Sequence, residues 1–485
     1  MWLKWKAAQV IGRQVEIREL LKKKRGPQAT IWTYHSNATY PVMYYQNSLE
    51  QSGLSKYADV IGIEVEPEGK PRLYTYYWRN NAAEFQMLKA QAAEREKVVW
   101  GLFYSTFLHD YTWNSILSWA LGIKQWWPVH DPNAEVAWKP MVAWETRHEE
   151  LLARWTPAAN IGVVYSDLTH NHHPLNAGSS EHAFAYVNFC NALTDSHIVY
   201  RVVLDRDLDA GRLDRLDTLV LPHVALMTDS AAETVRKFVQ NGGTVIATGE
   251  TSYYRETSRH RDDFALADVF GVRSENYLPS GKCDVDLTQW PGFAGSRAVG
   301  QMTYLKDWCE VKVTDPKAEL WASLTDSRGK KHPAVVARAA GKGRCIYFAF
   351  RPEMMYATQH LSFGAPLIEP GSPWEDKRDS TARALIAHAV LSAARPIVQV
   401  DNITRGIFVD AHRQRSSDVD NTIVTLANFL GAELTTGDVP RNLDPVFPEV
   451  APRLPQPANP SPSASEHRKP RRSIWSARIT RTPRD

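Results

Sequence analysis

Regular alternation of short apolar segments with helical segments is the feature of this sequence that most limits how it can fold. Within the first 155 residues, β-branched and aromatic stretches predict strands at 29–34, 59–66, 97–104 and 123–127. The helical patterns around them lie at 5–24, which is basic and amphipathic, and at 81–95, 114–122 and 138–155. Strands and helices at this spacing favour parallel βαβ units. Four such units would form half of an eight-unit barrel.

A second alternating segment begins near Ala159 and predicts a doubly wound sheet. Ile161–Tyr165 is a continuous apolar run, as expected for a strand that is buried on both faces. The other predicted elements are strands at 200–204, 218–222 and 244–248, a helix at 181–193, and a helix that Thr228 or Asp229 caps and Gly242-Gly243 stops.

The last part of the chain has weaker patterns. Periodicity fades between about 274 and 331, and a β-hairpin is predicted around Gly341–Gly343. Short alternating strands follow from 397 to 430, and no fold is expected after Val439. The predicted division is 1–157, 158–395, 396–438 and a disordered basic tail at 439–485.

Charge is unevenly distributed and argues against nucleic acid as a partner. The net charge is +3, but eight Lys/Arg and two Asp/Glu lie between Ala451 and Asp485, which leaves a mildly acidic body. A Pro/Ser/Arg-rich stretch of this kind is typical of disorder. The 17 Trp residues exceed the 15 Phe residues. Trp suits stacking on sugar rings as well as core filling.

The four cysteines indicate a reducing compartment. Cys190, Cys283, Cys309 and Cys345 lie far apart, without the spacing of a metal site, and are interpreted as reduced thiols of a cytoplasmic protein. No run reaches the length of a membrane span, so no membrane association is expected. No cofactor is predicted.

One ordered series of segments carries a resemblance to a known family. It comprises residues 217–229, 235–243, 244–249 and 266–271, followed by 341–348 and 422–428. In that order the segments resemble the trimerisation domain of glycoside hydrolase family 42 β-galactosidases, its closing hairpin and a strand of the C-terminal β-domain. The resemblance implies a homotrimer in which neighbouring subunits help to wall the active site.

The first 155 residues resemble, less closely, the second half of that family's barrel. Residues 59–67 are similar to its sixth strand, and 115–127 to its last helix and eighth strand. The implied fold class is α/β: a partial (β/α)8 TIM-barrel, a flavodoxin-like doubly wound domain of the class I glutamine amidotransferase type, and a short β-rich C-terminal region. The family's nucleophile is a Glu that ends the seventh strand, yet residues 98–106 contain no carboxylate. The family's acid/base lies on the fourth strand, which corresponds to no segment of this sequence.

Three carboxylates are the candidate catalytic residues. Glycosidic hydrolysis usually uses two carboxylates, about 5–5.5 Å apart in retaining enzymes and about 6.5–9.5 Å apart in inverting ones. In a barrel they stand at the carboxyl ends of strands. Glu64 matches the position of the family's acidic residue, and Glu66 shares its side of the strand. Asp110 is expected in the loop after the third strand. Each is also compatible with a solvated residue or a salt-bridge partner.

Aromatic residues at predicted strand ends are the candidate sugar platform, although each is also compatible with core packing. They are Trp32, His35, Tyr104, Trp126 and Trp127.

Other chemistries find less support in the sequence. No glycine-rich phosphate motif opens a helix, and the turn at Gly249–Thr251 lacks the Cys that an amidotransferase needs. His170, His172 and His173 resemble a metal cluster, but they are expected in a loop without partner carboxylates, so no metal is predicted.

The sequence therefore predicts a glycoside hydrolase-like protein that acts on oligosaccharides and assembles as an oligomer. Two alternatives stay open. The first is a catalytically inert carbohydrate-binding or scaffold relative, and the second is a gene fragment whose half-barrel exposes strand edges.

Overall fold

The structure is a computed structural model. It describes residues 2–35, 51–65, 74–93, 97–103, 108–126, 134–152, 155–174, 181–278, 282–291, 301–304, 307–356, 380–400, 406–415, 420–429 and 477–479.

The elements are numbered in chain order. The helices are α1 Trp2–Arg25, α2 Gln51–Tyr57, α3 Tyr74–Ala92, α4 Leu108–Leu121, α5 Ala134–Arg147, α6 Asp167–His172, α7 Glu181–Asp195, α8 Asp205–Asp209, α9 Asp229–Gln240, α10 Ala267–Phe270 and α11 Ser380–Ala393. The strands are β1 Trp32–His35, β2 Val60–Val65, β3 Val98–Phe103, β4 Lys124–Trp126, β5 Trp155–Pro157, β6 Ile161–Tyr165, β7 Arg201–Leu204, β8 Thr218–Leu221, β9 Thr244–Thr248, β10 Val272–Leu278, β11 Cys283–Asp286, β12 Gln301–Tyr304, β13 Trp308–Val313, β14 Glu319–Asp326, β15 Lys331–Ala340, β16 Gly343–Phe348, β17 Val398–Val400, β18 Ile407–Arg415, β19 Asp420–Asn428 and β20 Ala477–Ile479.

The first four strands form a parallel sheet in the order β1-β2-β3-β4. Parallel neighbours need a crossover, which the intervening helices supply. One face of this sheet is closed by helices: Ile61, Ile63, Val99 and Phe103 are buried in a core that includes Phe85 of α3. The alternate residues of each strand therefore lie on the opposite face.

A nine-stranded sheet forms the second architectural unit, in the order β12-β11-β14-β15-β16-β9-β8-β6-β7. The strands β7, β6, β8, β9 and β16 run parallel to one another, and the strands beyond β16 are antiparallel. In the parallel part the chain starts with β6, places β7 on one side, and then adds β8 and β9 on the other. The strand order thus reverses next to β6, which is where open α/β sheets form crevices.

The predicted caps of α9 are confirmed. The Thr228 hydroxyl accepts a hydrogen bond from the amide of Ala231 at 3.0 Å, as an N-cap residue does. Gly242 follows the helix with a φ of 114°, a value that favours glycine.

Several boundaries differ from the sequence predictions. Helix α4 begins at Leu108, so Asp110 lies in its first turn and not in a loop. Helix α5 ends at Arg147, and Trp155, expected in that helix, belongs to β5. Strand β5 pairs with β18, which lies more than 250 residues later in the chain. Only this long-range pairing decides its conformation.

Strands β18 and β19 lie within the predicted β-rich segment 397–430, and one segment of the tail is more structured than predicted. Strands β5, β18 and β19 form a three-stranded sheet. Ala477–Ile479, in the segment expected to be disordered, pairs antiparallel with β17. The edge of a strand presents backbone donors and acceptors that another extended segment can satisfy. The rest of residues 439–485 lies outside the described part.

A buried ion pair and a buried hydrogen bond between α3 and α7 connect the two main sheets. The guanidinium of Arg79 lies 2.6 Å from the carboxylate of Asp195, with both side chains inaccessible to solvent. The Tyr186 hydroxyl donates to the carbonyl of Ala83 at 2.8 Å. Hydrophobic residues of both sheets belong to one continuous core. Among the described helices, none is both long enough and apolar enough to cross a lipid bilayer.

Candidate functional site

Three tryptophans lie on the face of the four-stranded sheet opposite the helix-covered core. The Trp100 ring lies 5.5 Å from that of Trp32 and 5.2 Å from that of Trp126, measured between centroids. Trp100 is buried, whereas Trp32 and Trp126 are 63% and 52% exposed. Two exposed indoles beside a buried one give an aromatic surface that water can reach. Such surfaces suit the apolar faces of sugar rings.

Gly62 makes this arrangement possible. Trp100 stands beside Gly62 in the parallel register, and a Cβ at position 62 would lie 2.4 Å from the indole. The missing side chain lets the Trp100 ring lie across β2 towards Trp32. Trp100 was not among the predicted site residues, although its alternation with Val99 and Phe103 places it on the face opposite the helix-covered core.

The backbone of Glu64 lies at the carboxyl end of β2. Its register neighbour is Leu102, whose own neighbour is Trp126. With strands about 4.8 Å apart, the Cα atoms of positions 64 and 126 are roughly 10 Å apart on the same level of the sheet. The two positions therefore lie on the same face of the sheet, two strands apart.

The other predicted site residues either lie away from the carboxyl ends of the strands or fall outside the residues that the structure describes. Trp32 is the first residue of β1, so it stands at the beginning and not at the end of its strand. His35 is in register with Ile63, one step out of phase with the tryptophan row. The side chains of Glu64, His35 and Asp110 lie outside the described part, as do Glu66, Tyr104 and Trp127 altogether.

A second set of functional groups gathers at the carboxyl ends of strands in the nine-stranded sheet. His170 and His172 lie in helix α6, and His173 follows it directly. Contrary to the expectation of no partner carboxylate, His173 Nε2 lies 2.9 Å from Glu250 Oε2. His223 Nε2 lies 3.9 Å from the same oxygen. Sequence reasoning missed Glu250 because it is 77 residues away from His173.

Burial controls the protonation of this second set. Desolvation holds the pKa of His223 well below its usual value, with the Arg351 guanidinium acting in the same direction. Burial also lowers the pKa of His170 to about 4 and raises the pKa of Glu353 to about 7. The two histidines are therefore neutral at neutral pH, whereas the Glu353 carboxyl is only partly protonated there.

Comparison with known proteins gives this architecture a family context. Residues 185–363 match the family model described as the β-galactosidase trimerisation domain. The β-galactosidase BbgII of Bifidobacterium bifidum is 28% identical over 181 residues, which are 34% of this chain and 24% of that protein. The chain is similar to the glycoside hydrolase family 42 β-galactosidases.

Solved structures extend the likeness to most of the chain. The β-galactosidase from Rahnella sp. R3 matches with a TM-score of 0.66 and 15% identity, covering 88% of this chain and 62% of that one. A family 42 β-galactosidase from G. stearothermophilus matches with a TM-score of 0.61 and 15% identity, covering 87% of this chain and 61% of that one. At this identity the likeness establishes a shared fold.

The chain spans less than two thirds of the length of each of these relatives. The match to a family model lies within residues 185–363.

Proposed function

We propose that this chain belongs to a glycoside hydrolase of the β-galactosidase type that acts on oligosaccharides. The observation that carries the proposal is the match of residues 185–363 to the β-galactosidase trimerisation domain. The relative from Bifidobacterium bifidum, a β-galactosidase, supports it independently.

In this proposal the four parallel strands are the second half of a (β/α)8 barrel. Their order β1-β2-β3-β4, with helices covering one face, is the arrangement that such a half would have. The face with Trp32, Trp100 and Trp126 would then be the interior. The parallel part of the nine-stranded sheet is proposed to be the flavodoxin-like domain, because its order agrees with the 2-1-3-4-5 pattern.

The proposed division is that expected from the sequence: barrel half 1–157, trimerisation-like domain 158–395, β-region 396–438 and tail 439–485. The assembly is proposed to be a homotrimer, as the name of the matched domain suggests. A cytoplasmic location is proposed because Cys190, Cys283, Cys309 and Cys345 are all buried free thiols.

Glu64 is the carboxylate proposed to act on the sugar. Its position at the carboxyl end of β2 is where barrel enzymes carry catalytic groups. Glu66 and Asp110 are the further candidates, since both lie close to carboxyl ends of strands in the chain. Tyr104, Trp126 and Trp127 follow or end neighbouring strands and would stack on the substrate, while Trp32 and His35 would stand farther from the reacting bond.

The proposal is tested by assaying the purified protein on chromogenic β-galactosides, fucosides and arabinosides, with Glu64→Gln beside the wild type. Loss of a group that transfers a proton should lower kcat by about 10²–10⁴-fold. Glu149→Gln is the matched control, because Glu149 is exposed in the turn after α5. Equal turnover by wild type and Glu64→Gln would remove Glu64 from the mechanism.

Turnover of none of the substrates, together with binding of galactose, would favour a carbohydrate-binding protein without catalysis. The absence of a carboxylate from residues 98–106, where the resembled family has its nucleophile, is the observation that keeps this second candidate in view.

A further inference from the structure

His173, His223 and Glu250 come together because they follow three adjacent parallel strands. His173 lies beyond β6 and α6, His223 follows β8, and Glu250 follows β9. In the sheet β8 lies between β6 and β9. The carboxyl ends of neighbouring parallel strands meet at one edge, where open α/β sheets bind their ligands. Position in the fold thus brings together three residues that are widely separated in sequence.

The donor atoms of these residues are close enough to share one ion. One nitrogen of each histidine and one oxygen of Glu250 lie within 4.8 Å of one another. The carboxylate oxygen is 2.9 Å from His173 Nε2 and 3.9 Å from His223 Nε2. Tetrahedral zinc with bonds of about 2.0–2.2 Å holds its ligand atoms roughly 3.3 Å apart. Bringing the donor atoms from at most 4.8 Å to this separation requires shifts of up to about 1.5 Å between pairs of them.

His223 has unused binding capacity. Its side chain is 1% exposed, and neither of its ring nitrogens has a hydrogen-bond partner among the described residues. Buried polar atoms normally have partners, so two unsatisfied nitrogens on one imidazole require an explanation.

The backbone around His223 is held in an uncommon conformation. His223 has a φ of 51°, and a non-glycine residue in this region is uncommon and clusters at functional sites. Its amide donates to Thr248 Oγ1 at 3.0 Å, and its carbonyl lies 3.3 Å from His182 Nδ1. A Cβ at Gly249 would lie 2.9 Å from His223 Nδ1, so glycine leaves room for the imidazole.

The remaining ligand is also supported by its surroundings. The Tyr254 hydroxyl donates to Glu250 Oε1 at 3.3 Å, which leaves Oε2 directed at the histidines. Such outer contacts orient metal ligands. Arg351 is the cation that acts on His223. Its guanidinium forms an ion pair with Glu181 and lies 3.7 Å from the Asp307 carboxylate. The cluster therefore carries one carboxylate to offset a divalent cation.

We propose that His173, His223 and Glu250 form a binding site for a divalent transition-metal ion, with zinc as the best match. Two imidazoles and one carboxylate form a ligand set that zinc uses when a fourth position stays open for water or another ligand. The site lies in the nine-stranded sheet and depends on none of the residues proposed to act on the sugar. The metal-site proposal is therefore tested independently of the glycosidase proposal.

The test is titration of the chelator-treated full chain with zinc chloride, followed by isothermal calorimetry and by metal analysis after gel filtration. The wild type should bind one zinc ion per chain and melt at a higher temperature in its presence. His223→Gln should weaken zinc binding by more than about a hundredfold, since even outer contacts are worth 10–100-fold. Cobalt in place of zinc should give the visible absorption of a tetrahedral site in the wild type but not in His223→Gln.

His332→Gln is the matched control. His332 is also buried, but its ring nitrogens already face Glu310 and Asp326 at 3.3 and 3.4 Å. This variant should keep full zinc affinity. Glu250→Gln provides a second variant in case His223→Gln does not fold, because glutamine preserves the contact with Tyr254. Absence of zinc binding by the wild type would overturn the proposal. Unchanged zinc binding by folded His223→Gln and Glu250→Gln would overturn it as well.

Discussion

The carboxylate of Asp195 shows how single residues hold the molecule together. It pairs with Arg79 of α3 at 2.6 Å and accepts a hydrogen bond from the Tyr356 hydroxyl, and its backbone carbonyl accepts from Arg383 at 3.1 Å. One residue at the end of α7 thus contacts three separate parts of the chain. Burial removes solvent screening, so these contacts are coupled.

We predict that Asp195→Ala lowers the free energy of unfolding by about 3–5 kcal/mol, because it removes one partner of a buried ion pair. Arg13→Ala breaks the exposed Arg13–Glu16 pair and should cost less than about 1 kcal/mol. Urea denaturation of both variants measures the difference. Equal destabilisation by the two substitutions would show that the buried ion pair contributes no more to the free energy of unfolding than the exposed one.

Glu353 makes stability depend on pH. It is fully buried and its Oε1 accepts a hydrogen bond from Thr248 at 2.7 Å, while burial raises its pKa from 4.5 to about 7. The folded chain therefore retains a proton that the unfolded chain loses near pH 4.5. The stability contributed by this proton is present below the unfolded pKa and is lost as pH rises through the folded value.

We predict that Glu353→Gln abolishes this loss. Between pH 4.5 and pH 7, the variant should gain up to about 3 kcal/mol in unfolding free energy relative to the wild type. Denaturation at a series of pH values, with exposed Glu149→Gln as the control, provides the measurement. A constant difference between variant and wild type across this range would contradict the assignment.

At the scale of elements, the β15–β16 hairpin packs its turn against the end of α9. Gly341 has a φ of 61°, and a Cβ there would lie 2.6 Å from the Cα of Gln240. The amide of Lys342 donates to the Gln240 carbonyl at 3.2 Å. The turn therefore needs glycine for its backbone conformation and for its contact with the helix.

We predict that Gly341→Ala is more destabilising than Gly329→Ala. Gly329 also has a positive φ, 82°, but a Cβ added there would meet nothing within 4 Å, so its replacement costs only the backbone strain of about 1–2 kcal/mol. The steric conflict at position 341 should add roughly 1–3 kcal/mol. Thermal melts of the two variants measure this, and a Gly329→Ala variant of equal or lower stability would contradict it.

Elements with strong local patterns could be predicted from the sequence. The buried runs of β6, β8 and β9 are apolar on both faces, and the cap of α9 is a side chain that acts on its own helix. The hairpin turn is marked by Gly341. These features are decided by residues close together in the chain, which is the information that a single sequence contains.

Elements decided by distant residues could not be predicted in this way. Strands β10 to β14 lie where periodicity fades, because they are antiparallel, partly exposed and interrupted by a register shift between Ser274 and Asn276. Trp155 follows a helical pattern, yet its pairing with β18 places it in a sheet. In the site, Glu64 was suggested by its strand, whereas the approach of Glu250 to His173 depends on packing of the whole sheet.

At the scale of the whole molecule, the two sheets have separate proposed tasks. The four-stranded sheet carries tryptophans on the face opposite its helix-covered core, and the nine-stranded sheet contains most of the match to a trimerisation domain. The buried ion pair between Arg79 and Asp195 holds the two sheets together. Assembly through the larger sheet would therefore position the sugar-binding faces of neighbouring subunits.

We predict that the protein is a trimer in solution. Light scattering during gel filtration should give three times the chain mass of 54.9 kDa, because residues 185–363 match the β-galactosidase trimerisation domain. The His332→Gln variant, which changes a buried residue of the same nine-stranded sheet, should give the same trimer mass. A mass equal to that of a single chain at micromolar concentration would exclude the proposed assembly.

A crystal structure of the protein with galactose would test the proposed sugar site without intermediate assumptions. We expect a sugar ring on the tryptophan-bearing face of the four-stranded sheet, stacked against Trp126 and within hydrogen-bonding distance of Glu64. A Trp126→Ala crystal treated in the same way should contain no sugar there. Galactose bound elsewhere, or Glu64 directed into solvent away from the tryptophans, would contradict the proposed site.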